Sequence, residues 1–187
     1  MVIDVTRRLI NVDEFYKMAE VGILKPADRI ELISGEIIEM SPIGSKHAGV
    51  VNRLSRLLNK ILENKVVVGV QNPVRLDDIN EPEPDISVLK YRSDDYSTHH
   101  PEPNDILALI EVADSTINYD KEIKIPLYAS YKIPLYWIID IGKDRIEVYT
   151  NPQDSDYLEK TTYNLSDEIS LLGVELKVKD ILIRTDQ

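Results

Sequence analysis

Residues Ile106-Leu-Ala-Leu-Ile-Glu-Val112 form a nearly continuous apolar run with a single glutamate near its end. The run lacks the alternation of a half-solvated strand and reads as a central strand covered on both faces. Tyr136-Trp-Ile-Ile-Asp-Ile141 has the same character. A helix between two such strands makes them a parallel pair within a mixed sheet, so the fold class is α/β (α+β), a mixed β-sheet flanked by helices. The 187 residues are 43% hydrophobic and 29% charged, enough for a sizeable core in one domain expected to span residues 1–187.

Other elements are legible around that sheet. Asn11 to Glu20 reads as a short helix with Phe15, Met18 and Ala19 as its apolar contacts. Arg29 to Met40 reads as an N-terminal hairpin hinged at Ser34-Gly35. Ser45 is placed as the N-cap of an amphipathic helix whose apolar positions, from Val50 and Val51 to Ile61 and Leu62, recur at three and four residues. Lys46, Arg53, Arg56 and Lys60 fall on its other side. Strands follow at Val66–Gln71 and Asp85–Leu89. Ser115 or Thr116 caps a helix running to about Tyr131, in which Pro126 imposes a kink or a restart because it has no amide to donate. Further short strands are expected from Arg145 to about Ile183, with turns at 164–167 and at Gly173.

Composition excludes several chemistries. The absence of cysteine rules out disulfides, thiolate-bound zinc, iron–sulfur clusters and thiol catalysis. No apolar run approaches the ~20 residues of a membrane-spanning helix. Met1 to Arg8 has no apolar block behind its charges, so no secretory signal is expected and the location expected is cytoplasmic. The net charge of −11 argues against nucleic-acid binding by the chain as a whole. Its distribution does not: 41–75 holds six bases and one acid, whereas 77–120 holds two bases and twelve acids.

Glu111 is the informative residue, because a charged side chain is rarely buried unless it is paired or bound to metal. It ends a central strand, where ligand sites of open α/β sheets lie. Asp85 opens another strand directly behind Pro84. If the two strands are antiparallel neighbours, the two carboxylates converge as a hard-cation site for Mg²⁺ or Mn²⁺. Taken singly, Asp85 is equally a turn residue, and Glu111 has a salt bridge to a lysine as its less favoured alternative. Lys124, one to two turns into the next helix, adds a group that positions or deprotonates water. Lys121 competes for that role, and both lysines are alternatively solvated helix charges. His99-His100 reads as surface, and Trp137 and the tyrosines as packing groups of the core or an interface.

Pro84-Asp85 followed by Glu111-Val112-Ala113 resembles the PD-(D/E)XK nuclease signature. The closer resemblance is to the Uma2 family (DUF820) of restriction-endonuclease-like proteins. It rests on Glu31-Leu-Ile-Ser-Gly-Glu36, His47, Pro84-Asp85-Ile-Ser-Val88, Glu111-Val-Ala-Asp-Ser-Thr116, Asp120-x-x-x-Lys124-x-x-x-Tyr128-Ala129 and Ile133-Pro-Leu-Tyr-Trp-Ile-Ile-Asp140. These stretches cover a core of about 29–141. The general signature puts lysine two residues after the glutamate, where this chain has Ala113, and the Uma2-like pattern points to Lys124 instead.

The resemblance implies a restriction-endonuclease-like core and Mg²⁺-dependent hydrolysis of DNA phosphodiester bonds. Asp85 and Glu111 would hold the ion, with the Ala113 carbonyl as a further ligand, while Lys124 orients water. Glu36 is an added acid candidate, with a solvent-facing hairpin residue as its equal alternative, and Glu31 shares that ambiguity. His47 is either a site residue or a packing histidine. Lys46, Arg53, Arg56 and Lys60 would contact DNA, and a homodimer is expected of a duplex-cutting enzyme. Two other classes stay open: a nuclease-fold module that binds nucleic acid or a protein without cutting, and a metal-dependent phosphohydrolase of small nucleotides.

Overall fold

The computed structural model describes residues 6–25, 27–114 and 116–182. Its centre is a six-stranded sheet in the spatial order β3 (Val66–Val70), β4 (Ile86–Lys90), β5 (Ile106–Ala113), β6 (Leu135–Asp140), β7 (Arg145–Gln153) and β8 (Asp156–Asn164). Only β5 and β6 run parallel, and every other neighbouring pair in this sheet is antiparallel. The two apolar runs are thus its central pair, and both are buried along nearly their whole length.

Each face of the sheet has its own cover. Helix α2 (Ser45–Leu62) lays Val50, Val51, Leu54, Leu58 and Leu62 against Ile86, Val88, Ala108, Ile110, Trp137 and Ile139. The C-terminal hairpin β9 (Glu168–Leu171) and β10 (Val174–Lys177), with the short helix α5 (Val178–Ile181), completes that layer. The opposite face is covered by α3 (Ile117–Tyr119), a π turn at Asp120–Lys124 and α4 (Ile125–Ser130), which bury Ile125, Tyr128 and Ala129 against Leu109, Tyr136 and Ile138. No described helix is long and apolar enough to cross a membrane.

Pro126 explains the broken helix. The Ile125 amide reaches back five residues to the Asp120 carbonyl, closing a wide turn, and a new α-helix starts with the proline in its first turn, where no donor is missed. At the N-terminus, Asn11 caps α1 (Val12–Glu20) through a capping box with Glu14. The hairpin β1 (Ile30–Ile33) and β2 (Glu36–Glu39) turns through Ser34 and Gly35 at positive φ. It docks on the chain ahead of β4 through Leu32 and Glu81, which exchange backbone bonds at 3.3 and 2.8 Å.

Some expectations shift. The cap of α2 is Gly44 rather than Ser45, and no side chain completes it. Thr116 stands at the N-cap of α3 but spends its hydroxyl on Asp120 at 3.0 Å, and Ser115 lies outside the described residues. Residues 1–5, part of the stretch expected to carry no secretory signal, and 183–187 lie outside them as well.

Candidate functional site

Antiparallel pairing of β4 with β5 brings the start of one strand beside the end of the other. The Asp85 amide donates to Glu111 Oε2 at 3.1 Å, and the Val112 amide donates to Asp85 Oδ2 at 2.9 Å. Each acid is therefore gripped by backbone next to the other. His47, in the first turn of α2, brings Nε2 to 2.9 Å from Asp85 Oδ2. Gln71, just past β3, donates to Asp85 Oδ1 at 3.1 Å, and holds a φ of 51° that few non-glycine residues adopt.

Lys124 comes from the other side of the sheet. Its Nζ donates to Glu31 Oε2 at 2.5 Å and lies 3.4 Å from Glu111 Oε1. Tyr128, one turn further along, donates its hydroxyl to Glu111 Oε1 at 3.1 Å, while Tyr119 donates to Glu31 Oε1 at 2.9 Å. Glu31 is thus delivered by β1, whose docking on Glu81 carries it inward. His47, Asp85, Glu111, Glu31, Lys124 and Tyr119 line a cavity of about 480 Å³ that also takes in Arg29, Glu83, Asp114 and Asp120, while Gln71 and Tyr128 stand outside its lining.

The electrostatics follow from that crowding. Burial raises the proton affinity of Glu111, Lys124 opposes it, and Asp85, Asp120 and Glu31 add to it, leaving the carboxyl well above its ordinary range. Asp120 is pushed up to about 6, first by burial, against the pull of Lys124 and the Thr116 hydroxyl. Burial draws the Lys124 ammonium down, but Glu111 and Glu31 outweigh it and hold the group protonated. Lys124 is therefore a donor that can fix water or a phosphoryl oxygen, and a poor base.

Among the described residues no group of three or more histidine, cysteine, aspartate or glutamate side chains is arranged to hold a metal. Mg²⁺ asks for less. It keeps several waters and is usually held by one or two carboxylates plus substrate phosphate. The donors here are carboxylate oxygens, and the cavity holds more acids than the buried Lys124 compensates. That donor set fits Mg²⁺ and does not fit a closed protein cage.

Asp85, Glu111, Lys124 and His47 are brought together. Two expectations are corrected, and the two competing lysines separate. The Ala113 carbonyl accepts the Ile141 amide at 3.1 Å within the sheet, and Ala113 does not line the cavity, whereas Val112 does. Glu36 sits on the outer side of the hairpin, paired with Arg7 at 2.8 Å and away from the cavity. Lys121 pairs with Glu147 at 2.8 Å, which leaves Lys124 as the lysine beside Glu111. Lys46 donates to the Ile141 carbonyl at 2.9 Å; Arg56 and Lys60 are exposed and Arg53 half-buried on α2. Gln71, Tyr119, Tyr128 and Asp120 were not singled out as site residues from sequence. For Gln71 the signal was a polar side chain ending an apolar strand, and for the others their spacing of four to five residues around Lys124.

A family model described as "Uma2: Putative restriction endonuclease" matches residues 12–180. Among solved structures, the chain is similar to the crystal structure of "a putative nuclease belonging to DUF820" from Anabaena variabilis. The TM-score is 0.72 at 19% identity, over 92% of this chain and 97% of that one, a likeness of fold. No curated protein matches. With a match that runs from α1 to the end of the C-terminal hairpin and beyond, the chain belongs to the Uma2 family.

Proposed function

We propose that this cavity hydrolyses phosphodiester bonds in DNA with the help of Mg²⁺ or Mn²⁺. The observation that carries the reading is the pair Asp85 and Glu111, interlocked at one strand end with the protonated Lys124 at 3.4 Å from Glu111. Asp85 and Glu111 would hold the ion. When bound, it supplies Lewis-acid polarisation of the phosphoryl group and acidification of water. Lys124 donates toward the attacking water or a non-bridging oxygen, held on line by Glu31. His47 and Gln71 orient the Asp85 carboxylate. Lys46, Arg53, Arg56 and Lys60 lie on the helix that carries His47 and would meet the DNA backbone. The active form would be a homodimer of single-domain chains, so that two sites meet one duplex; light scattering that finds only monomer counts against this.

Cleavage of varied DNA substrates with Mg²⁺ or Mn²⁺ is the test. The wild type is expected to cut, and Asp85→Ala, Asp85→Asn, Glu111→Ala and Glu111→Gln to lose about a hundredfold or more. Equal rates in all of them would remove this mechanism. One observation favours a second reading, a nuclease-fold module that binds without cutting: protein donors already occupy both oxygens of Asp85 and of Glu111. Calorimetric titration with Mg²⁺ separates the two, since the non-cutting module takes up no ion at this pair.

A further inference from the structure

Glu147 is a buried acid, 1% exposed, that plays no part in the site described above. It stands in one cross-strand row with Glu111: Glu111 pairs with Ile138 on β6, and Ile138 pairs with Glu147 on β7. Directly opposed residues share a face of the sheet. Glu147 therefore lies on the same face as Glu111, two strands over, at about 10 Å given ~4.8 Å between strands. The π turn spans both. Lys124 reaches Glu111, and Lys121, three residues earlier, reaches Glu147 at 2.8 Å.

Glu147 is heavily overcompensated. Lys121, Arg145 at 2.8 Å and Lys160 at 2.9 Å all pair with it, and Tyr149 donates its hydroxyl at 2.6 Å. Arg145 also reaches Asp140 at 3.3 Å. Three cations thus crowd two acids, where two would neutralise them, and the three repel one another. They are not sealed in: their side-chain exposures are 29%, 27% and 44% for Lys121, Arg145 and Lys160. Each ammonium carries three donors and the guanidinium five, more than these contacts use. Such an array is completed by an anion that takes several charged donors at once, as a phosphate does.

We propose that Lys121, Arg145 and Lys160 form a phosphate-binding subsite for the DNA backbone, engaging a phosphate that flanks the one at Asp85 and Glu111. Glu147 is the positioning residue that fixes their spacing. The proposal rests on the phosphodiester reading of the main site. A separation of about 10 Å is short beside a DNA strand, which carries one phosphate per ~3.4 Å of helix axis, so one strand can touch both places. Glu147 stays ionised throughout, because the lysines and Tyr149 outweigh its burial and hold its carboxyl down at about 2.

Fluorescence anisotropy of a labelled DNA duplex, titrated with the full chain without divalent ion across a salt series, tests this. Lys160→Ala and Lys121→Gln are each expected to weaken binding about three- to tenfold at low salt. Each should also lower the slope of log affinity against log salt by about one contact, with Lys160→Arg restoring the slope. Lys179→Ala, an exposed lysine on α5, is the control and is expected to leave the slope unchanged. Variants that bind with the wild-type slope, even if they melt earlier, would overturn the subsite and leave the main-site reading standing. A reduced slope in a protein that fails to cut DNA supports the subsite and sinks the nuclease reading instead. A wild type that binds no DNA overturns both.

Discussion

Asp120 shows what a site of crowded acids costs the fold. Its ordinary carboxyl value is 3.8, and in the folded chain it is pushed up to about 6. The unfolded chain therefore releases this proton first as pH rises, and the folded state loses stability between about pH 4 and pH 6, then by a constant amount above. Asp120→Asn removes the penalty and keeps an acceptor for the Thr116 hydroxyl. In urea melts without divalent ion, this variant is expected to exceed the wild type by roughly 1–3 kcal/mol near pH 8 and to match it near pH 3. A difference independent of pH would contradict this. Residue by residue, the sequence was uneven as a guide. Asp85, Glu111 and Lys124 could be read because an acid closing an apolar run, and a lysine behind it, need an explanation. Glu31 and Glu36 could not be told apart, since both sit at polar positions of one hairpin. Only the docking of β1 on Glu81, a contact distant in sequence, turns Glu31 inward to Lys124.

That hairpin is the element on which the site leans from outside the sheet. Gly35 closes it at a φ of 72°, and a Cβ there would lie 2.7 Å from the Leu9 Cβ and 3.0 Å from the Ile10 carbonyl. Gly35→Ala is accordingly expected to cost roughly 1–3 kcal/mol, through strain and through loosened docking of β1. Thermal melts check the cost, and an unchanged melting temperature would show that the turn yields easily. The order helix, three strands, helix, strand was legible because apolar periodicity reports burial directly. The π turn was less so. Pro126 announced a break in the helix, but the register on either side is set by which side chains the sheet accepts. Here it accepts Asp120 and Lys124 together.

For the whole molecule, charge separation outweighs the total. A chain of net charge −11 is repelled by DNA at long range and attracted only where cations collect. Affinity for duplex DNA is expected to be modest and steeply dependent on salt. Four contacted phosphates would lower it about a hundredfold between ~50 and ~200 mM salt, as anisotropy titrations will show. Binding that ignores salt would place recognition elsewhere. The sheet carries one further lesson for whoever dissects it. Because Asp85 and Glu111 each hold the other's stretch of main chain, cutting either back to alanine also unbuttons two strands. Lost cleavage in an alanine variant would thus report on seam integrity as much as on the proposed ion capture, and the amides Asp85→Asn and Glu111→Gln, which keep the seam fastened, are the cleaner amputations.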